Sequence, residues 1–137
     1  MRMLVDTNVV LDLLLDRQPY SLNSSYLFRL VEEDRVTGLL CATTITTVEY
    51  LLTKSLSRVE ARKHLGNLTR LFDIAPVNRA VIEGAMKSRT NDFEDAVLEQ
   101  AALLCRVEAI ITRNAKDFSG GAVKAVDPRQ FLVQIGK

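Results

Sequence analysis

Short apolar runs alternate with helical patterns along this chain, and that alternation constrains its fold more than any other feature. Apolar, strand-like runs fall at residues 3–5, 38–41, 72–75 and 109–112, with a weaker one at 122–126. Helical patterns fill the spaces between them, over about residues 7–16, 21–33, 43–54, 78–88 and 91–105, with a further helix opened by Ser57, and Pro128 starts a terminal helix. Thr7 or Asn8 is placed to cap the first helix. Ser57 with Glu60, and Asn91 with Glu94, have the spacing of capping boxes. Strands separated by helices require right-handed crossovers, which build a parallel sheet covered on both faces. The reading is therefore an α/β fold. No repeat, low-complexity tract or linker divides the chain, so residues 1–137 are expected to form a single domain. In such sheets, sites form beyond the carboxyl ends of the strands, near the point where strand order reverses.

Several classes fall on composition. Two cysteines, Cys41 and Cys105, make neither a disulfide framework nor a four-ligand zinc site; both lie in apolar runs and are expected as buried free thiols. With one histidine, His64, and no tryptophan, histidine-centred catalysis has little material. No apolar stretch approaches the ~20 residues of a membrane span, and the first residues lack a signal-peptide layout, so a cytoplasmic protein with no membrane partner is expected. The net charge is only +1, which argues against a strongly basic nucleic-acid binder unless the acids are concentrated in one place.

The positions of the acids suggest such a concentration. Asp6 directly follows the strand Met3-Leu4-Val5; a helix cap is its simplest role. Glu49 falls in the stripe Ile45, Val48, Leu52, where a carboxylate is costly unless it is paired or binds a metal. In Asn91-Asp92-Phe93-Glu94-Asp95-Ala96, the helix dipole favours Asp92 and Glu94. Asp95 instead shares a semi-buried face with Leu98 and Ala102, and Glu99 stands one turn from it. Asp117 lies just past the strand that ends at Ile111-Thr112. Converging carboxylates repel one another, and a hard divalent ion removes that penalty. The lack of a His/Cys cluster argues against zinc.

Four segments in order, Leu4-Val5-Asp6-Thr7-Asn8-Val9, Thr47-Val48-Glu49-Tyr50-Leu51, Asp92-Phe93-Glu94-Asp95-Ala96 and Ile111-Thr112-Arg113-Asn114-Ala115-Lys116-Asp117-Phe118, resemble those of PIN-domain proteins. The likeness runs from about Met3 to Leu132 and is greatest to the small stand-alone VapC-type toxins. It implies a three-layer α/β/α PIN-like fold with a five-stranded parallel sheet in the order 3-2-1-4-5. It also implies a metal-dependent endoribonuclease, a hydrolase that uses Mg²⁺ or Mn²⁺ to cut RNA and leaves a 5′-phosphate. The family's acidic quartet maps to Asp6, Glu49, Asp95 and Asp117 as catalytic residues and metal ligands. Asn8, Thr112 and Asn114 map to supporting positions, and Asp92 or Glu99 is an alternative ligand in the third segment. Arg113 and Lys116 are candidates for contacting the RNA substrate. The basic residues Lys54, Arg58 and Arg62 have the spacing of one helix face. The resemblance further implies an antitoxin protein partner and a homodimer, with the helices near residues 20–30 and 43–52 as candidate faces.

Competing readings are a non-toxin PIN nuclease of RNA processing, a PIN-like binding module without catalysis, a haloacid-dehalogenase-like phosphatase and a response-regulator receiver. The phosphatase wants an Asp-x-Asp pair where this chain has Asp6-Thr7-Asn8. The receiver needs an acid after the third strand, where this chain has Pro76-Val77-Asn78.

Overall fold

A computed structural model describes residues 1–118 and 121–136 of the 137-residue chain. Five strands, β1 (Arg2–Val5), β2 (Thr37–Cys41), β3 (Asp73–Ala75), β4 (Ala109–Ile111) and β5 (Ala125–Val126), form one sheet in the order β3-β2-β1-β4-β5. All four pairings are parallel, so the α/β/α layering and strand order expected from the sequence are both present. Leu4 is in register with Leu39 on one side and Ile110 on the other.

Successive side chains of a strand point to opposite faces, and the two cores follow that period. Met3 and Val5 of β1, Leu40, and Ala109 and Ile111 face one core. It is closed by α1 (Thr7–Leu14), α2 (Ser21–Glu32), α3 (Ala42–Ser55), α4 (Arg58–Leu71) and α7 (Pro128–Gln134). Leu4, Leu39, Cys41 and Ile110 face the other, covered by α5 (Arg79–Met86) and α6 (Phe93–Leu104).

Element existence follows the sequence reading; the caps differ. Asp6 caps α1, the simplest role its position offered, and Thr7 and Asn8 do not; its carboxylate accepts from the Thr7 N–H. Asp92, not Asn91, caps α6 and accepts from the Asp95 N–H. Ser57 caps α4 as expected, accepting from the Glu60 N–H. That cap also separates Lys54, at the end of α3, from Arg58 and Arg62 on α4, so the three basic residues do not share one helix. Cys41 is buried, whereas Cys105 is only partly so, because it lies at the end of α6. Among the described residues no helix is long and apolar enough to cross a membrane.

One charged pair is built into the larger core. Asp12, on α1, has a side chain only 1% exposed. The Arg113 guanidinium reaches it from beyond β4 with two bonds, Nε to Oδ2 at 2.7 Å and Nη2 to Oδ1 at 3.2 Å. The same guanidinium stacks over the Tyr20 ring at 4.0 Å, and Arg17 stands 3.8 Å from Asp12.

Two stability predictions follow from this packing. A Cβ on Gly38 would lie 2.6 Å from the Phe72 ring, which is itself fixed edge-on to Phe28. Gly38→Ala should therefore lose about 1–3 kcal/mol in urea unfolding. Arg113→Ala leaves Asp12 buried with only the distant Arg17, and should lose about 3 kcal/mol or more. Replacing both partners by leucine should recover much of that loss; a double variant as unstable as Arg113→Ala would contradict the assignment.

Candidate active site

The site begins at the end of β1. The backbone N–H of Asp6 continues the sheet by donating to the Ile111 carbonyl at 2.9 Å. Its side chain then serves two elements at once. Oδ1 accepts from the Thr7 N–H at 2.8 Å, and Oδ2 accepts from the Thr112 hydroxyl at 2.8 Å. Thr112 in turn accepts from the Asn114 N–H at 3.1 Å, which fixes the direction of its hydroxyl proton. Asp6 is buried at 8% exposure, and burial pushes its carboxyl above the ordinary value. The Thr112 and Thr7 hydrogen bonds and the Arg113 charge pull the other way. The Thr7 hydroxyl lies 2.8 Å from that of Thr44, tying α1 to the start of α3.

A second helix start faces the first. Asp92 caps α6 with Oδ1, 3.0 Å from the Asp95 N–H. Asp117 enters from a 3₁₀ turn, Ala115–Phe118, after β4. Asp6, Asp92, Glu94, Asp95 and Asp117 all line one cleft of about 290 Å³, with Asn8 and Asn114. The Asp95 carboxyl is pushed up to about 6, first by burial and then by the charges of Asp92, Asp6, Asp117 and Glu94. Such a shift marks an acid that pays for its neighbours' charge.

The expected quartet is only partly gathered. Glu49 does not line this cleft; Thr47 and Leu51 of the same helix do. Glu49 lies on another side of α3, where it accepts from the Thr53 hydroxyl at 3.2 Å and stands 3.8 Å from Arg62 of α4. Arg113, expected at the substrate, is occupied by Asp12 and Tyr20. Lys116 lines an adjoining cavity of about 560 Å³, which shares Asp92, Asp95 and Asp117 with the first. Asn8 accepts from Arg17 at 3.3 Å. The sequence reading missed the buried anchor Asp12. Its signal was an acid inside the apolar run Val9-Val10-Leu11-Asp12-Leu13-Leu14.

The donor set contains only oxygen, and the neighbouring acids raise the proton affinity of Asp95. Both properties fit a hard divalent ion such as Mg²⁺ or Mn²⁺ better than zinc. Among the described residues no three acids already stand close enough to enclose an ion.

Comparison with known proteins agrees with this architecture. No curated protein sequence matches the chain. Among solved structures, a toxin–antitoxin complex from Klebsiella pneumoniae is 25% identical, with a TM-score of 0.69, covering 92% of this chain and 97% of its own. VapBC2 from Rickettsia felis, bound to a DNA fragment from its promoter, is 15% identical with a TM-score of 0.71, covering 93% and 98%. VapC20 from Mycobacterium tuberculosis, a toxin that cleaves the sarcin-ricin loop, is 13% identical with a TM-score of 0.63, covering 82% and 91%. The PIN domain profile matches residues 2–116. The chain belongs to the PIN-domain family.

Proposed function

We propose that this protein is a divalent-metal-dependent endoribonuclease of the cytoplasm and the toxin of a toxin–antitoxin pair. One observation carries the nuclease reading: Asp6, Asp92, Asp95 and Asp117 line one cleft beyond the carboxyl ends of β1 and β4. The toxin reading is supported by the likeness to toxin–antitoxin complexes and to a toxin that cleaves the sarcin-ricin loop.

Asp6, Asp95 and Asp117 would hold Mg²⁺ or Mn²⁺, with Asp92 beside them. A bound ion supplies an activated water near neutral pH and positive charge against the phosphate. Thr112 holds Asp6 in one rotamer by donating to Oδ2, so the carboxylate is oriented before any ligand arrives. Asn8 and Asn114 line the same cleft and offer amides to a water or a phosphate oxygen. Lys116 lines the adjoining cavity, which shares Asp92, Asp95 and Asp117 with the cleft, and is the candidate to meet the RNA backbone. Glu49, tied to Thr53 and Arg62, is left out of the ligand set. For a homodimer, the exposed Leu22 and Tyr26 of α2 and Tyr50 of α3 supply apolar surface.

The purified protein should cut RNA with Mn²⁺ or Mg²⁺ and stop with EDTA. Asp6→Asn and Asp95→Asn should each cost about 100-fold or more, and Thr112→Val about 10–100-fold. Glu49→Gln should cut at close to the wild-type rate. Full activity in Asp6→Asn and Asp95→Asn would overturn the assignment. Expression of the wild type should arrest growth, and Asp95→Asn should not.

The pH dependence has a definite sign. Asp95 has a folded pKa of about 6 against an ordinary 3.8, so the folded state holds its proton more tightly than the unfolded chain does. Its contribution to stability is therefore greatest in acid and is lost as pH rises from about 4 to 6. Thermal unfolding of the metal-free protein should show that loss. Asp95→Asn should flatten it.

A further inference from the structure

The wall formed by Asp92, Asp95 and Asp117 has two sides. Asp6 lies on one; on the other is the larger cavity, and Glu99 lines it. Glu99 stands one turn beyond Asp95 on α6, so both carboxylates leave the same face of that helix. It is 3% exposed, and its Oε2 has no hydrogen-bond partner among the described residues. Its Oε1 has only a long contact, 3.4 Å from the Thr90 hydroxyl. Around it on α6 are the buried apolar residues Leu98, Ala101 and Ala102. The backbone at Gly121, which lines the same cavity, comes so near that a Cβ there would overlap Oε2. A carboxyl oxygen buried without a hydrogen-bond partner is costly, and nothing among the described residues offsets that cost. Arg89 and Lys116 line this cavity too, yet the orphaned oxygen has no bond from either.

We infer that Glu99 is a ligand of a second divalent-cation position, on the far side of the Asp92–Asp95–Asp117 wall from Asp6. The inference rests on the metal-dependent reading above. A carboxylate carries two oxygens, so the acids of a shared wall can serve a position on each side. Glu99 belongs to one of those positions alone, as Asp6 belongs to the other. This differs from the quartet read from the sequence: the carboxylate that joins the wall comes from α6 and not from Glu49 on α3.

The test is a Mn²⁺ titration of the metal-stripped full-length chain, followed by calorimetry and by the electron paramagnetic resonance of free Mn²⁺. The wild type should bind two Mn²⁺, and Glu99→Gln should bind one. In the absence of metal, Glu99→Gln should melt at or above the wild-type temperature, because a neutral amide is easier to bury. The rise in Tm on adding Mn²⁺ should shrink. Gly121→Ala, which displaces the Glu99 side chain without removing its charge, should weaken one of the two sites about 10-fold or more. It carries the stoichiometry test if Glu99→Gln does not fold. Equal Mn²⁺ stoichiometry in wild type and Glu99→Gln overturns the inference. So does a lower metal-free Tm with a wild-type Mn²⁺ response, which would make Glu99 a purely structural acid. A single Mn²⁺ in both proteins, with metal-dependent RNA cleavage intact, removes the second position and leaves the nuclease reading standing. A wild type that binds no Mn²⁺ removes both.

Discussion

The hydrogen bond from Thr112 to Asp6 is the contact on which the site depends. It joins the residue after β1 to the residue after β4, at the place where the sheet's connections turn in opposite directions. Asp6 also caps α1 and continues the backbone pairing to Ile111. One side chain therefore fixes a helix start, a strand seam and an acidic group. With both carboxylate oxygens already directed, its geometry does not depend on a ligand. Beneath it, Asp12 and Arg113 tie the same helix to the same loop from inside the core. The acid at the surface and the ion pair below it hold α1 against the end of β4 at two levels.

Two of the cleft's acids are helix caps, and this helps explain how the carboxylates can gather. Asp6 caps α1 and Asp92 caps α6, so each stands at the positive end of a helix dipole. Each cap also accepts a backbone N–H that would otherwise lack a partner. Asp95 has no such role: its N–H is the donor to Asp92, and its own carboxylate is left facing Asp6, Asp92 and Asp117. The strain of gathering negative charge thus falls on Asp95, whose carboxyl is raised to about 6. The chain's net charge of +1 conceals this, because a local excess of acid is offset by basic residues elsewhere.

Much of this was legible in the sequence, for identifiable reasons. Alternating strand and helix patterns specify a parallel sheet because the crossover rule leaves few other topologies. Asp6 and Asp117 were picked out because each follows an apolar strand at its carboxyl end, and both line the one cleft. Glu49 was expected in the cleft but does not line it: a stripe defined by Ile45, Val48 and Leu52 is wide, and periodicity cannot say what faces its edge. The answer lies on another helix, where Arg62 sits. Arg113 was assigned to RNA for the same kind of reason: its partner Asp12 is 101 residues away in sequence and meets it only in the folded chain. Local patterns locate a charged residue on an element. They do not reveal which long-range partner has already taken its charge.

That limit also explains why α6 is the informative element. Its first turn looks like ordinary dipole complementation, and for Asp92 and Glu94 that account is sufficient. It fails one turn later. Glu99 is past the reach of the N-terminal dipole, is buried, and keeps an oxygen that nothing on the helix serves. A helix stabilised only by its neighbours would place an apolar residue there, as it does at Leu98, Ala101 and Ala102. Asp95 and Glu99 set carboxyl groups along one face from the cap into the core, where the described apolar neighbours offer Glu99 Oε2 no partner. That placement makes sense if the face of α6 is shaped by what the cleft must hold.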